Sequence, residues 1–221
     1  MDRQTRAAMF QEIDVYPVTC EALSSGRSNL QVLEGVIEGG ARIIQLREKE
    51  YSERDFYRLA LEFRKVTAGS NVLLIINDHV DIALAVDADG VHLGQQDLPL
   101  RVARRLAPQL LIGVSTHSLE EALQAQQSGA DYINIGPIFP TKTKKGAADF
   151  LGPDMIGRIG RNIHIPFTVM GGIDLSNIDQ VLAQGARRVA MVTAITQAPD
   201  IAEKVRLIKD RIATFPGTAR Q

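Results

Sequence analysis

Short apolar runs alternate with helix-like segments along the whole chain, and this alternation constrains the fold more than any other feature. The runs at 72–76 and 90–93 are typical, because each stops abruptly at polar residues. Runs of this length predict strands of a parallel sheet that is buried on both faces. We predict eight strands, near residues 14–19, 42–46, 72–76, 89–93, 110–114, 131–135, 166–170 and 188–192.

Helix signals fill the intervals between these strands. Ser118 begins a stretch with capping-box spacing and Ser176 begins a weaker one, while Gly129 and Gly185 fall where helices should end. We predict helices near residues 29–39, 53–68, 78–86, 98–107, 118–128, 153–160, 176–184 and 199–213.

Eight strands that alternate with eight helices favour a closed (β/α)8 barrel over an open doubly wound sheet. An open sheet would more often carry a glycine-rich fingerprint after its first strand, and residues 19–21 carry none. No linker or composition shift divides the chain. We therefore predict one α/β domain over residues 1–221, a single TIM barrel with an N-terminal extension at 1–12 and a flexible tail at 214–221.

The composition argues against several classes of function. The net charge is −1 and aromatic residues make up 5% of the chain, so neither electrostatic attraction nor base stacking favours nucleic acid. No apolar run approaches the roughly 20 residues that span a bilayer, which argues against a membrane protein. A single cysteine, Cys20, fits a reducing cytoplasm. We expect a cytoplasmic protein that acts on small molecules, and a homo-oligomer is compatible with the sequence.

Two carboxylates follow neighbouring strands. Asp78 comes directly after the strand at 72–76, and Asp97 follows the strand at 89–93. Taken singly, each is better explained as the N-cap of the next helix. Parallel strands, however, bring their carboxyl ends to one edge, and Mg²⁺ takes one or two carboxylates together with water and phosphate oxygens. Taken as a pair beside basic residues, Asp78 and Asp97 predict a magnesium site.

The segment after the second strand supplies the basic residues. Gln45, Arg47 and Lys49 alternate, so in an extended chain they point to one side, towards the barrel mouth. Arginine offers a planar fork for phosphate oxygens, and lysine offers a mobile charge. The alternative is a solvated loop in which Glu48 pairs locally.

Two further stretches suit phosphate groups. The loop at 136–146 carries two prolines and two glycines, and hydroxyl and ammonium groups interleave at 141–144. Such a basic loop is also often only solvated. Gly171-Gly172 and Val192-Thr193 follow the last two strands, where TIM barrels place a recurrent phosphate site. A diphosphate region with Mg²⁺ and a separate monophosphate region predict group transfer in which diphosphate leaves.

Three other polar residues lie in or just after the predicted strands. Ser115 lacks the Gly-x-Ser-x-Gly setting of a nucleophile, so we interpret it as a hydrogen-bonding contact. His92 lies within an apolar strand and is expected to be a hydrogen-bonded core residue. His117 could be a general acid or base, and a surface histidine is an equal alternative.

Five motifs together resemble the thiamine phosphate synthase family, in order and over nearly the whole chain. They are Gln-Leu-Arg-Glu-Lys at 45–49, Ile-Asn-Asp at 76–78, the segment 89–97, Gly-Pro-Ile-Phe-Pro-Thr-Lys-Thr-Lys at 136–144 and Gly-Gly-Ile at 171–173. The resemblance implies an Mg²⁺-dependent transferase. It would join 4-amino-2-methyl-5-hydroxymethylpyrimidine diphosphate to 4-methyl-5-(2-hydroxyethyl)thiazole phosphate, releasing diphosphate and forming thiamine phosphate.

The resemblance also implies a role for each motif residue. Diphosphate would leave first, and the thiazole nitrogen would then trap the pyrimidine methylene cation. Arg47, Lys49 and Lys144 would be catalytic because they neutralise the leaving diphosphate, and Asp78 and Asp97 would bind Mg²⁺. The substrate-binding residues would be Gln45, Leu46, Arg47, Glu48, Lys49, Asn77, Ser115 and Lys144 for the pyrimidine diphosphate, and Thr141, Lys142, Thr143, Gly172, Val192 and Thr193 for the thiazole phosphate.

The sequence departs from the family pattern at a few positions. Cys20 stands where Asp is usual, Thr193 where Ser is usual, and Arg187-Arg188 where Asp-Gly is usual. None of these changes removes a metal or diphosphate residue. The nearest alternative, a thiazole tautomerase of the same superfamily, would need an acid or base such as His117 but no diphosphate or metal set. A non-catalytic phosphate binder would tolerate loss of Asp78 or Asp97, and both are present.

Overall fold

Eight parallel strands form the centre of the molecule. The structure is a computed structural model, and it describes residues 1–141 and 150–216. The strands are β1 (Val15–Pro17), β2 (Ile43–Leu46), β3 (Leu73–Asn77), β4 (Gly90–Leu93), β5 (Leu111–Thr116), β6 (Tyr132–Ile135), β7 (Phe167–Val169) and β8 (Val189–Met191).

Helices surround this sheet in regular alternation with the strands. They are α1 (Arg3–Gln11), α2 (Asn29–Glu38), α3 (Glu53–Ala68), α4 (Val80–Ala85), α5 (Leu100–Leu106), α6 (Leu119–Gln127), α7 (Asp154–Gly160), α8 (Ile178–Ala183), α9 (Thr193–Thr196) and α10 (Ile201–Thr214), with a 3₁₀ turn at Glu21–Leu23. Within the described part of the chain, none of them combines the length and the apolar character that a membrane crossing requires.

The sheet closes into a barrel. Its strands follow the order β1-β8-β7-β6-β5-β4-β3-β2, and every pair is parallel. Just beyond β1, a parallel bridge pairs Val18 with Gln45 of β2, and the Thr19 N–H donates to the Gln45 carbonyl at 2.9 Å. The predicted TIM barrel is therefore confirmed, and each predicted strand and helix lies within about two residues of its observed position.

Alternate strand residues pack into two separate apolar layers. In β2, Ile43 belongs to the layer inside the barrel, whereas Ile44 and Leu46 belong to the layer between sheet and helices. All three side chains are fully buried. This two-sided burial is the reason why the strands appear in the sequence as unbroken apolar runs instead of alternating ones.

Helix α1 covers the end of the barrel where the strands begin. The Phe10 ring stacks on the Tyr132 ring inside the barrel, with centroids 4.2 Å apart. Arg6 of the same helix is 3% exposed and donates to Asp89, directly before β4. Most of the segment that we expected to be an extension is thus a helix that seals the core.

The N-caps of four helices can be compared with the capping residues that the sequence suggested. Ser118 caps α6 as predicted, because its side chain accepts a hydrogen bond from the Glu121 N–H. Ser176 does not cap α8: that helix begins at Ile178, and the Ser176 hydroxyl donates to Asp174 instead. Asp78 and Asp97 are not caps either, since His79 and Pro99 occupy the capping positions of α4 and α5. Both carboxylates are therefore left for another role.

Candidate active site

A cleft of about 1140 Å³ opens at the end of the barrel where the strands terminate. This is the end at which TIM-barrel enzymes place their active sites. Residues from all eight strands and from the loops that follow line the cleft. The lining residues that bear on its chemistry are Tyr16, Gln45, Arg47, Lys49, Asn77, Asp78, His92, Asp97, Ser115, His117, Asn134, Thr141, Thr168, Gly172, Val192 and Thr193.

Asp78 is held in a tight turn at the end of β3. The His79 N–H donates to the Asn77 carbonyl at 2.8 Å, which makes a three-residue γ-turn with Asp78 at its centre. Asp78 has φ +65°, a value that few residues other than glycine adopt. Its own N–H donates to the His92 carbonyl of β4 at 2.9 Å. Neighbouring strands therefore fix an unfavourable backbone conformation, as is common where a side chain must be aimed at a site.

Asp97 reaches the same point from the loop after β4. The Gly94 N–H donates to Asp97 Oδ2 at 2.6 Å, and Asp97 lies close enough to Asp78 for each carboxyl group to shift the pKa of the other. Burial and the neighbouring Asp97 raise the pKa of Asp78 above its ordinary value. Burial also acts to raise the pKa of Asp97, but the neighbouring Asp78, the Gly94 N–H and the charge of Lys49 outweigh it and lower that pKa. The two carboxyl groups are therefore electrostatically coupled.

Lysine and arginine balance this negative charge. Lys49 forms an ion pair with Asp78, and its side chain is half exposed at the mouth. Arg47 lines the cleft beside it, and its backbone is anchored because the Arg47 N–H donates to the buried Thr19 hydroxyl at 2.9 Å. Two neighbouring carboxylates beside basic side chains are a donor set that fits a hard divalent metal. Among the described residues no cluster of three or more acidic, histidine or cysteine ligands occurs, so water and phosphate oxygens would complete the coordination.

The segment 45–49 divides between the cleft and the protein interior, as its alternation predicted. Gln45, Arg47 and Lys49 line the cleft. The Leu46 side chain packs in the layer beneath the helices, and Glu48 accepts a hydrogen bond from the Glu21 N–H at 2.9 Å. Leu46 and Glu48 were expected among the substrate-binding residues, yet neither side chain lines the cleft.

Buried polar groups form the floor of the cleft. His92 lies within hydrogen-bonding distance of both Tyr132 and Ser115, which confirms it as a hydrogen-bonded core residue. Burial lowers the pKa of His92 to about 4, so the ring is neutral at physiological pH. The Ser115 hydroxyl lies 2.9 Å from Nε2 of this histidine, whose lowered pKa makes it a weak base for activating a nucleophile.

Sequence reasoning missed two residues of this floor. Asn134 of β6 and Thr168 of β7 line the cleft, and the Thr168 hydroxyl donates to Asn134 Oδ1 at 2.8 Å. Both are polar residues at inward positions of otherwise apolar strands. The sequence shows that these strands contain polar residues, but only the structure shows that those residues face the interior of the barrel.

The opposite side of the mouth brings together the loops after β6, β7 and β8. Gly172 has φ +61°, and a Cβ at this position would lie 2.5 Å from the Pro140 carbonyl oxygen. Only glycine therefore allows the two loops to approach so closely. Thr141, Val192 and Thr193 line the same part of the cleft. The predicted contacts Lys142, Thr143 and Lys144 lie outside the described residues.

His117 also lines the cleft, at the end of β5. Its Nδ1 atom lies 3.0 Å from Glu121 Oε2, and its backbone N–H donates to the same oxygen at 2.7 Å. These contacts tie His117 to the start of α6, on the rim and away from the carboxylate pair.

Comparisons with known proteins agree with this geometry. The sequence model of a family described as thiamine monophosphate synthase matches residues 15–195. Thiamine-phosphate synthase from Dictyoglomus thermophilum is 44% identical over 209 residues, which cover 94% of each chain. The enzyme of the same name from Pelotomaculum thermopropionicum is 47% identical over 90% of this chain and 91% of its own.

A solved structure gives the same result. Thiamine phosphate pyrophosphorylase from Pyrococcus furiosus superposes with a TM-score of 0.86 at 35% identity, over 93% of this chain and 98% of its own. The tautomerase alternative is not favoured, because these relatives carry the synthase or pyrophosphorylase name and the cleft keeps both basic and acidic residues. The chain belongs to the thiamine monophosphate synthase family, and it is a transferase of thiamine biosynthesis.

Proposed function

We propose that the enzyme joins 4-amino-2-methyl-5-hydroxymethylpyrimidine diphosphate to 4-methyl-5-(2-hydroxyethyl)thiazole phosphate in an Mg²⁺-dependent reaction. The observation that carries this proposal is the pair of carboxylates, Asp78 and Asp97, in one cleft, with Lys49 ion-paired to Asp78 at the same mouth. Paired carboxylates next to basic side chains suit a diphosphate that arrives with a divalent cation.

Acidic and basic side chains would together form the end of the site that binds diphosphate. Asp78 and Asp97 would hold Mg²⁺, which when bound supplies electrostatic stabilisation to the departing diphosphate. Lys49 is half exposed and therefore able to turn from Asp78 to a phosphate oxygen. Arg47 would clamp the same group through its planar fork. Lys144 joins this set through the family resemblance.

The pyrimidine ring would lie deeper, on the polar floor. Gln45, Asn77 and Ser115 line the cleft at the ends of β2, β3 and β5 and offer amide and hydroxyl groups. Leu46 and Glu48 would contribute only through the backbone of their segment, since both side chains are engaged outside the cleft.

The thiazole phosphate would occupy the side formed by the last loops. Gly172 leaves its backbone open to close approach, and Val192 and Thr193 lie across from it in the cleft. Thr141 borders the same space, and Lys142 and Thr143 join it through the family resemblance. This location is the recurrent phosphate site of TIM barrels.

The residues suit a reaction in which the leaving group departs before the new bond forms. The methylene carbon–oxygen bond to diphosphate breaks with both electrons on oxygen, and the thiazole nitrogen then donates its lone pair to the methylene carbon. Arg47 and Lys49 neutralise the charge that develops on diphosphate, so the protein needs no nucleophile of its own. The neutral, buried His92 and the hydroxyl of Ser115 serve to bind and orient the ring.

An assay of thiamine phosphate formation tests the proposal. Purified protein would be mixed with both phosphorylated substrates, with and without Mg²⁺, and thiamine phosphate would be followed after oxidation to its fluorescent product. Product that depends on Mg²⁺ is the expected result. Absence of product together with tight binding of the thiazole phosphate alone would contradict the synthase reaction and make His117 the next residue to replace.

A further inference from the structure

A continuous chain of hydrogen-bonding groups crosses the barrel interior beneath the cleft. Gln45 Nε2 donates to Tyr16 Oη at 3.0 Å, and Tyr16 Oη lies 2.9 Å from Tyr132 Oη. Tyr132 Oη lies 3.1 Å from His92 Nδ1, and His92 Nε2 lies 2.9 Å from Ser115 Oγ. We call these five residues the floor relay. Its two ends, Gln45 and Ser115, line the cleft, whereas Tyr132 is fully buried below it.

The first link gives the floor relay a direction. An amide nitrogen can only donate, so the Tyr16 oxygen accepts from Gln45 and its own proton is free to go to Tyr132. The Tyr132 proton then goes to His92 Nδ1, because the reverse arrangement would leave the buried Tyr16 proton without an acceptor in the floor relay. Because Nδ1 accepts this hydrogen bond it carries no proton, so the ring proton lies on Nε2, from which His92 donates to Ser115 Oγ.

Burial keeps these protons in place. Tyr16 and Tyr132 are both almost completely inaccessible to solvent, and burial raises the pKa of each phenol, so neither ionises near neutral pH. His92 is 7% exposed, and both of its ring nitrogens are engaged within the floor relay. The hydrogen bonds between the two ends therefore have a single consistent direction.

We propose that Tyr132 and His92 are positioning residues that make the Ser115 hydroxyl a hydrogen-bond donor towards the cleft and leave Gln45 Oε1 as the acceptor at the other end. This polarity selects a ring with an acceptor opposite Ser115 and a donor opposite Gln45. An aminopyrimidine meets it, because its ring nitrogen accepts a hydrogen bond and its exocyclic amino group donates one. The inference rests on the proposed function for the identity of the ring. The direction of the floor relay itself is independent of it.

A deaminated ring would meet the wrong polarity. Replacing the amino group by an oxo group turns the donor into an acceptor and places a proton on the adjacent ring nitrogen. Gln45 Oε1, which is buried, would then face an acceptor and be left unpaired, and the Ser115 proton would lose its acceptor on the ring. A site of this kind rejects the mismatched analogue far more strongly than an apolar pocket would.

Nitrogen NMR of the full chain with labelled histidine tests the direction without any activity assay. The protein has four histidines, and a His92→Gln variant assigns the His92 signals. The expected spectrum at neutral pH shows His92 neutral, with its proton on Nε2 and Nδ1 accepting a hydrogen bond. Tyr16→Phe should preserve this tautomer because Tyr132 can still donate, whereas Tyr132→Phe should shift the Nδ1 signal. A proton on Nδ1, or a charged ring, in the wild-type protein would overturn the proposal.

Kinetics test the selectivity that the floor relay confers. For Tyr132→Phe, KM for the pyrimidine diphosphate should rise by about tenfold, the equivalent of one hydrogen bond, while KM for the thiazole phosphate stays unchanged. Discrimination against the oxo analogue should fall in parallel. Tyr57→Phe, on the exposed face of α3, is the matched control and should match the wild type. A folded Tyr132→Phe enzyme with unchanged discrimination, or with equal changes in both KM values, would overturn the proposal.

The two measurements separate the failure of this inference from the failure of the proposed function. A protein without synthase activity whose His92 is protonated on Nε2 would retain the floor relay but lose the assignment of the ring. An active synthase whose His92 is protonated on Nδ1 would retain the function but overturn the direction of the floor relay.

Discussion

Asp78 combines a strained backbone with an unfavourable charge. It sits at φ +65° in the centre of a γ-turn, and burial and Asp97 raise its pKa. Neither feature helps the protein to fold without ligands. Both would become favourable if a cation lay between the two carboxylates, because the cation would remove the repulsion and use the fixed geometry. This combination is the one expected of a residue that binds a cation at the expense of stability.

Replacing Asp78 by Asn should stabilise the metal-free protein. Asparagine tolerates positive φ and carries no charge. Because the native state binds a proton more tightly than the unfolded state does, ionised Asp78 destabilises the native state as pH rises. We expect Tm near neutral pH in EDTA to increase by about 2 °C. The gain should vanish as pH falls below the ordinary value of 3.8, where Asp78 is protonated in both the native and the unfolded state.

Calorimetry across pH measures this effect, with exposed Asp81→Asn as the control that should leave Tm unchanged. With Mg²⁺ and the pyrimidine diphosphate present the order should reverse, since only the wild type then gains binding energy. A gain in Tm that is independent of pH would contradict the electrostatic explanation.

The same carboxylates should be essential for turnover. We expect Asp78→Asn and Asp97→Asn each to lower kcat by about 10²–10³-fold, because each removes a group that organises charge stabilisation at the leaving diphosphate. The Mg²⁺ concentration for half-maximal rate should rise in both variants. Steady-state kinetics over a range of Mg²⁺ checks this, and an unchanged Mg²⁺ dependence would exclude these residues as ligands.

At the scale of elements, the loops after β6 and β7 act as one unit. The Ile138 N–H donates to the Met170 carbonyl at 2.9 Å, and the Phe139 N–H donates to the Gly171 carbonyl at 3.0 Å. Gly171 and Gly172 both have positive φ and leave no room for a side chain next to Pro137 and the Pro140 carbonyl. The position of one loop thus determines that of the other. Together they determine the shape of the side of the cleft that Thr141 and Gly172 line.

Gly172→Ala should therefore impair both stability and binding of the thiazole phosphate. The added Cβ would clash with the Pro140 carbonyl oxygen at 2.5 Å and force the loops apart. Gly185→Ala is the matched control, because it has φ +94° but no atom within 4 Å of its Cβ. We expect each variant to lose about 1 kcal/mol from backbone strain. Only Gly172→Ala should raise KM for the thiazole phosphate, and an equal KM in both variants would contradict direct coupling of the loops.

At the scale of the whole molecule, the two ends of the barrel carry separate sets of charged residues. At the end where strands begin, Asp89 accepts hydrogen bonds from Arg6 at 3.2 Å, from Arg64 at 2.8 Å and from the Leu74 N–H at 2.9 Å. These contacts join α1, α3, β3 and β4 around a buried carboxylate. At the opposite end the charged groups are partly solvated and face the cleft. Stability and chemistry are thus served by separate sets of charges.

Asp89→Asn should destabilise the protein without changing its catalysis. The change removes the buried carboxylate beside Arg6, which is 3% exposed, and leaves the exposed Asp87, 3.7 Å away, as its ion-pair partner. We expect the free energy of unfolding in urea to fall by about 3 kcal/mol, while KM values and Mg²⁺ dependence remain those of the wild type. Asp87→Asn is the control, since Asp87 is 91% exposed and lies 3.7 Å from the same arginine. An altered Mg²⁺ dependence in Asp89→Asn would show that the two ends are coupled.

The sequence by itself determined the order and type of the elements. Strands such as β3 are buried on both faces, so their apolar runs are unbroken and their ends are marked by Asn77 and Asp78. Alternating side chains in 45–49 likewise indicated which residues would line the mouth, because the two-residue period of a strand is a local property. The predicted paired carboxylates and both basic residues meet in one cleft for the same reason.

Only the tertiary structure decided what depends on distant parts of the chain. Residues 1–12 include a helix that covers the barrel end, and this is explained by the stacking of Phe10 on Tyr132. Asp78 is not a helix cap, because its hydrogen bond to β4 holds it in a turn before α4. The floor relay joins residues from Tyr16 to Tyr132, a separation that no local pattern encodes. Hydrogen bonds between side chains of different strands depend on barrel closure and on which face is inward, and closure is a property of all eight strands together.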